Sequence, residues 1–310
     1  MSKENSKLSV NDILERFIFE EKDVRACVVR LHKSLIDNHK NHNYPPAIQK
    51  ILGEFIAASV LLASNLKFEG RLVLQLRSDS DISLLMAECR HNGEVRAYAQ
   101  YNEKAIARNE NKHFNFDMFR KGLLAMTIEP DVGESYQGIV SLSGKDGGEA
   151  KNLAVCLQNY FAQSEQLQSH FYLLSEGDFA VGFMLQQLPA QIEPNEQVRA
   201  LHWEDIQYLA ATLSEEELLT LDGQTIMHRL FHEDKVRFLD QSPIKFACSC
   251  SKERMDNALI SLGRNELETI LLEQGQIDML CEFSKCGYVY GQAEIDDLFS
   301  ESFSPEKILH

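Results

Sequence analysis

The feature that most restricts this chain is a set of four cysteines near its C-terminal end: Cys248-Ser249-Cys250, then Cys281 and Cys286. They fall in a stretch of about sixty residues, which is too short to bury much core and needs a staple. Four thiolates suit tetrahedral zinc, each short segment supplying one edge of the tetrahedron. A C-x-C pair needs extended backbone to turn both sulfurs to one side, and Phe246-Ala247 leading in is compatible with that. Cys281 and Cys286 flank the turn between two short β-rich runs, QIDMLCEF and GYVYG, where zinc knuckles form. Neighbouring zinc-held thiolates also react with oxidants, and oxidation removes the charges that bind the ion. Losing the ion should unfold so small a module. The residues therefore suggest a metal-latched switch. Cys27, Cys89 and Cys156 sit singly in apolar or amphipathic elements and read as small hydrophobes.

The rest of the chain predicts an α+β fold. Ser9 to about Leu66 reads as helical, with Ile13, Phe17, Phe19 and Val24 on a helix running into a strand at 27–32. Tyr44-Pro45-Pro46 breaks the pattern before a long apolar helix over 47–66. Strands follow at 71–79, 82–90 and 94–100, the last two joined by a hairpin at Asn92-Gly93. GLLAMTIEP and SYQGIVSLS continue the sheet around Asp131-Val132-Gly133, and 144–149 reads as a loop. An amphipathic helix with Leu153, Leu157, Tyr160 and Phe161 on one face precedes a last strand pair, SHFYLLSE and FAVGFMLQQLP. Beyond Pro194 helices are expected at 196–212, 214–231, 233–240, 252–262, 265–273 and 293–300. Ser214 and Glu217 form a capping box for the second of them. Three regions result: a mixed sheet-and-helix domain over 1–192, a helical linker over 193–245, and a cysteine-bearing module over 246–310.

Charge narrows the function. From Glu193 onward, ten Lys and Arg face twenty-three Asp and Glu, so that −13 of the chain's net −16 lies there. Such a surface repels phosphate and anionic lipid, which argues against nucleic-acid and membrane partners. No run of eighteen apolar residues suggests a membrane span, and the polar N-terminus does not resemble a signal peptide. With seven cysteines and no secretory signal, a reducing cytoplasm is expected. There is no Gly-rich phosphate loop, H-E-x-x-H or G-x-S-x-G, so a binding protein is expected in place of an enzyme. His228 and His232, one helical turn apart, lack an evident third ligand.

LKFEGRLVLQL (66–76), MTIEPDVGESYQGIV (126–140), NYFAQSEQL (159–167) and GFMLQQLPAQ (182–191), followed by FACSCSKERMDNAL and LCEFSKCGYVY, resemble the redox-regulated heat-shock chaperones of the 33-kilodalton class. The resemblance covers nearly the whole chain. It implies a cytoplasmic, ATP-independent holdase, latent while reduced and holding one zinc per chain. Oxidation would form two disulfides, Cys248–Cys250 and Cys281–Cys286, release zinc and unfold the module with the linker. Apolar surface would then meet unfolding client proteins, and active chains would form homodimers. Leu201, Trp203, Ile206, Leu209, Leu218, Leu219 and Ile226 are the candidate client-binding residues, packed on the N-terminal sheet while the protein is reduced.

One departure stands out. The family's second pair is C-x2-C, followed by an aromatic seven residues after its first cysteine. Cys281 and Tyr288 keep that register, which puts Ser284 where the second cysteine belongs and Cys286 two residues beyond. A neutral hydroxyl competes poorly with a thiolate for zinc. The expected metal ligands are therefore Cys248, Cys250, Cys281 and Cys286, with Gly287 relaxing the longer turn. Two other classes stay open: a zinc-ribbon module of a nucleic-acid-associated factor, and a thiol–disulfide oxidoreductase.

Overall fold

The computed structural model describes residues 12–64, 69–108, 116–119, 121–142 and 150–301. The expected loop at 144–149 and residues 65–68 lie outside them. The chain divides into two compact units, Met1–Ala247 and Cys248–His310.

In the first unit the elements run β1 (Ile13–Phe19), β2 (Val24–Leu31), α1 (Lys33–His39), α2 (Pro46–Ala63), β3 (Gly70–Arg77), β4 (Ile82–Arg90), β5 (Glu94–Tyr101) and α3 (Glu103–Arg108). They continue with β6 (Leu123–Pro130), β7 (Tyr136–Val140), α4 (Leu153–Gln163), β8 (Ser169–Glu176), β9 (Phe179–Gln187), α5 (Glu196–Ala210), α6 (Glu215–Thr220), α7 (Gly223–Phe231), β10 (Val236–Pro243) and β11 (Lys245–Phe246). Two sheets form, in the orders β10-β1-β2-β9-β8 and β11-β5-β4-β3-β6-β7. Every pairing is antiparallel except that of β11 with β5. Gly93 turns the β4–β5 hairpin with φ +80°, a backbone region that favours glycine.

Helix α2 lies in the main core with residues of both sheets. It is apolar and long enough to cross a bilayer by length and composition alone, but two thirds of it is buried inside the unit. The period of two along each strand divides the first sheet between two cores. Cys27, Val29 and Leu31 of β2 join the α2 core. Val24, Ala26 and Val28 of the same strand pack instead with Trp203, Ile206, Ile226 and Leu230 of α5 and α7.

Two expected helices are strands. Residues 13–19 form β1, which pairs with β2 on one side and β10 on the other. Residues 236–243, which overlap the segment read as a helix at 233–240, form β10 on the edge of that sheet. Each supplies ladder hydrogen bonds to the other from more than two hundred residues away, and this tertiary pairing overrides local propensity. The helix expected over 214–231 is two helices. Leu221 is extended, and Asp222 caps α7 by accepting a hydrogen bond from the Thr225 N–H at 2.7 Å. The Ser214–Glu217 capping box is present at the start of α6.

The second unit contains α8 (Lys252–Leu262), α9 (Arg264–Gln274), the β12 (Ile277–Leu280) and β13 (Gly287–Tyr290) hairpin, and α10 (Gln292–Glu301). Its core consists of Leu259, Leu267, Leu271, Ile277, Tyr290 and Ile295, with a few half-buried neighbours. By area burial alone a core of this size leaves little net stability after the entropy of ordering the chain.

Candidate functional site

The cysteine cluster is assembled by a helix start and a hairpin turn. Cys248 and Cys250 precede α8, whose N-cap Ser251 accepts a hydrogen bond from the Arg254 N–H at 3.2 Å. Cys281 follows β12. Its N–H donates to the Cys286 carbonyl at 2.9 Å, and the Lys285 N–H donates to the Cys281 carbonyl at 2.8 Å. Lys285 takes a left-handed conformation, φ +55°, which closes this turn tightly. Tyr290 ties hairpin to helix by donating its hydroxyl to Asp256 at 2.7 Å.

The Sγ atoms of Cys248, Cys250 and Cys281 all lie within 4.8 Å of one another, the one group of three or more metal-ligating side chains among the described residues. Zinc–sulfur bonds of about 2.3 Å give a tetrahedron edges of about 3.8 Å. The 3.6 Å separation of Cys248 and Cys281 fits that edge, so the three sulfurs suit a bound metal ion. Burial and the neighbouring Cys248 and Cys281 sulfurs push the Cys250 thiol up to about 12. Burial also raises Cys248, but the Cys250 N–H and hydrogen bonds from neighbouring side chains outweigh it and hold that thiol below the ordinary range. Three thiolates repel one another in such a site, and a divalent cation removes the conflict.

The fourth expected ligand is not in this group. Cys286 is exposed, whereas Ser284 is 6 % exposed with its Oγ 3.2 Å from the Cys250 Sγ. The remaining cysteines lie apart. Cys27, Cys89 and Cys156 are buried, and burial raises all three thiols, the latter two to about 12, which suppresses their reactivity.

The candidate client-binding residues divide by exposure. Trp203, Ile206, Leu218 and Ile226 are buried against the first sheet and Leu219 packs at the margin of that core, while Leu201 and Leu209 face solvent. Three charged side chains of the β1–β2 hairpin hold this segment, and sequence reasoning missed them. Asp23 accepts from the backbone N–H groups of Gln191, Ile192 and Glu193 at 2.9–3.1 Å. The Arg30 guanidinium donates to the carbonyls of Leu218, Leu219 and Leu221 at 3.0, 2.5 and 2.5 Å, satisfying the otherwise open end of α6. Glu15 accepts from the Gly223 N–H at 2.9 Å at the start of α7, where a Cβ on residue 223 would overlap the carboxylate. For Glu15 and Arg30, a charged residue inside an apolar strand run was the available signal, because buried charges must find partners.

A two-sheet α+β unit is followed by a small helix-and-hairpin module with a thiol cluster, and similarity to known proteins places this arrangement in a chaperone family. The chain belongs to the Hsp33 protein family, whose model matches residues 12–291. Three relatives described as "33 kDa chaperonin" are similar to it. That of Pseudomonas fluorescens is 41% identical over 93% of this chain and 94% of its own. Those of Ectopseudomonas mendocina and Pseudomonas savastanoi pv. phaseolicola are 42% and 43% identical, covering 94% and 93% of this chain and 96% and 94% of theirs. The fold matches a crystal structure of the 33 kDa chaperonin, a heat shock protein 33 homolog, from Thermotoga maritima. The TM-score is 0.77 at 22% identity, covering 94% of this chain and 99% of that one.

Replacing Arg30 with Met should leave three helix-end carbonyls without their donor. A stability loss of about 2–3 kcal/mol is expected in urea titrations, with hydrogen exchange accelerated in 214–231 before the α2 core. Unchanged protection there would contradict the anchoring role. Asp23 supplies a second test. Burial alone would raise its carboxyl, but the three backbone N–H groups and Arg199 hold it below the ordinary value. Its contribution is thus present above the unfolded-state value near pH 4 and is lost as pH falls through the depressed folded value. Asp23→Asn should be less stable at pH 7 and lose less on acidification below about pH 4. Parallel acid profiles for the two proteins would count against this account.

Proposed function

We propose that this chain is a redox-regulated, ATP-independent holdase for unfolding proteins, acting in a reducing cytoplasm and latent while its thiols are reduced. The observation that carries this reading is the three-sulfur cluster in a unit whose apolar core is too small to hold it alone. In the reduced state Cys248, Cys250 and Cys281 would hold one zinc ion, which crosslinks the start of α8 to the β12–β13 turn. Bound zinc supplies a structural crosslink and keeps the sulfurs as thiolates.

Oxidation by a peroxide would join Cys248 to Cys250 and Cys281 to Cys286. Each disulfide forms with loss of two protons and two electrons from the thiol pair, and each peroxide becomes two waters. The thiolate charges that retain zinc disappear, and residues 246–310 lose their staple. We assign residues 193–245 to the same transition. Their release uncovers Trp203, Ile206, Leu218, Leu219 and Ile226 together with the strand faces beneath them. With Leu201 and Leu209 these form the client-binding surface, and active chains associate as homodimers. Residues 1–192 stay folded around the α2 core. Membranes, nucleic acids and ATP have no part in this cycle, and no chemical transformation of the client is involved.

Elemental analysis of reduced protein, purified after expression with added zinc, should give about one zinc per chain; a value near zero would refute the metal latch. Peroxide with mild heating should raise suppression of the aggregation of a thermally unfolding protein, and ATP should change nothing. In parallel, hydrogen exchange should show protection falling from about residue 195 onward while 1–190 keep theirs. Equal activity before and after oxidation would remove the switch from this account.

A further inference from the structure

Ser284 is buried, and its Oγ lies 3.2 Å from the Cys250 Sγ, at the edge of the three-sulfur group. The Cys286 N–H approaches the same oxygen at 3.4 Å, from the side of the turn. Cys286 lies outside the three-sulfur group. It is exposed, its carbonyl is engaged by the Cys281 N–H at 2.9 Å, and the left-handed Lys285 has already turned the chain past the cluster.

We propose that the metal is held by three thiolates, Cys248, Cys250 and Cys281, and closed by the Ser284 hydroxyl, with Cys286 outside the coordination sphere. The proposal rests on the reading of this module as metal-bound and deepens it. A hydroxyl is a harder and weaker donor than a thiolate for a borderline-soft ion. The site therefore carries one negative charge fewer than a four-thiolate site and should hold its ion less tightly. Cys286 remains a solvent-facing thiol beside Cys281, available to pair with it on oxidation without first leaving the ion.

Cobalt(II) loaded into the reduced full-length chain reads the donor set directly, because thiolate-to-cobalt charge-transfer absorbance grows with the number of sulfurs bound. Zinc affinity is measured alongside by competition with a chromophoric chelator. Cys286→Ala should keep the cobalt spectrum and stay within about twofold of the parent affinity. Ser284→Cys should raise the charge-transfer absorbance by about a third, as four thiolates replace three, and tighten zinc by on the order of tenfold. Ser284→Ala should weaken zinc several-fold and alter the ligand-field bands. A loss of about a quarter of the charge-transfer absorbance in Cys286→Ala would overturn the proposal, making Cys286 the fourth of four sulfur ligands. Silence of both alanine variants would put water in the fourth place and overturn the role of Ser284. Absence of cobalt and zinc binding by the parent chain would instead refute the metal reading on which all of this rests.

Discussion

The inner strands β2 and β9 of the five-stranded sheet are buried on both faces, and such strands must be covered twice. Helix α2 covers one face from within the main core, continuous with the second sheet. The other face, lined by Phe17, Phe19, Val28, Phe183 and Leu185, is covered by α5, α6 and α7. These two covers differ in what surrounds them. The first is enclosed by two sheets. The second is a sequence of short helices joined by turns, pinned at both ends of its breaks by Asp23, Arg30 and Glu15. A cover that depends on polar pins can be lifted without dismantling the fold beneath it, which is the property that a conditional binding surface requires.

The second unit shows the complementary economy. Six buried apolar side chains cannot stabilise some fifty ordered residues, and Tyr290 bonded to Asp256 adds one tertiary link between hairpin and helix. Three sulfurs from two segments lie close enough for a metal ion to join them, which would crosslink the unit. A crosslink of that kind would be sensitive to oxidation of the thiols. Membership of the Hsp33 family gives this arrangement its chaperone setting.

Much of this was legible in the residues. The Asn92-Gly93 hairpin, the apolar helix after Pro46, the Ser214–Glu217 capping box and the β12–β13 hairpin follow from local chemistry, and each is present. β1 and β10 were misread as helices because their strand character comes from pairing with each other, and a local window carries no trace of that partner. The break at Leu221-Asp222 was signalled by an Asp-Gly pair with Thr225 beyond it, but the apolar spacing across it continued and hid the break. At the thiol cluster the three grouped cysteines could be read from spacing. That Ser284 stands beside them could not, because it depends on the backbone of the turn, where Lys285 is left-handed.

The chain has a single tryptophan, Trp203, buried in the second cover, and this makes the central claim directly measurable. Zinc release to a chromophoric chelator and Trp203 emission can be followed in one cuvette after peroxide is added to the reduced protein. Coupling of the thiol latch to the helical cover predicts that emission shifts to the red as zinc appears, and that both return when thiols and zinc are restored. Complete zinc release with Trp203 emission unchanged would contradict the account, because the latch would then open without lifting the cover.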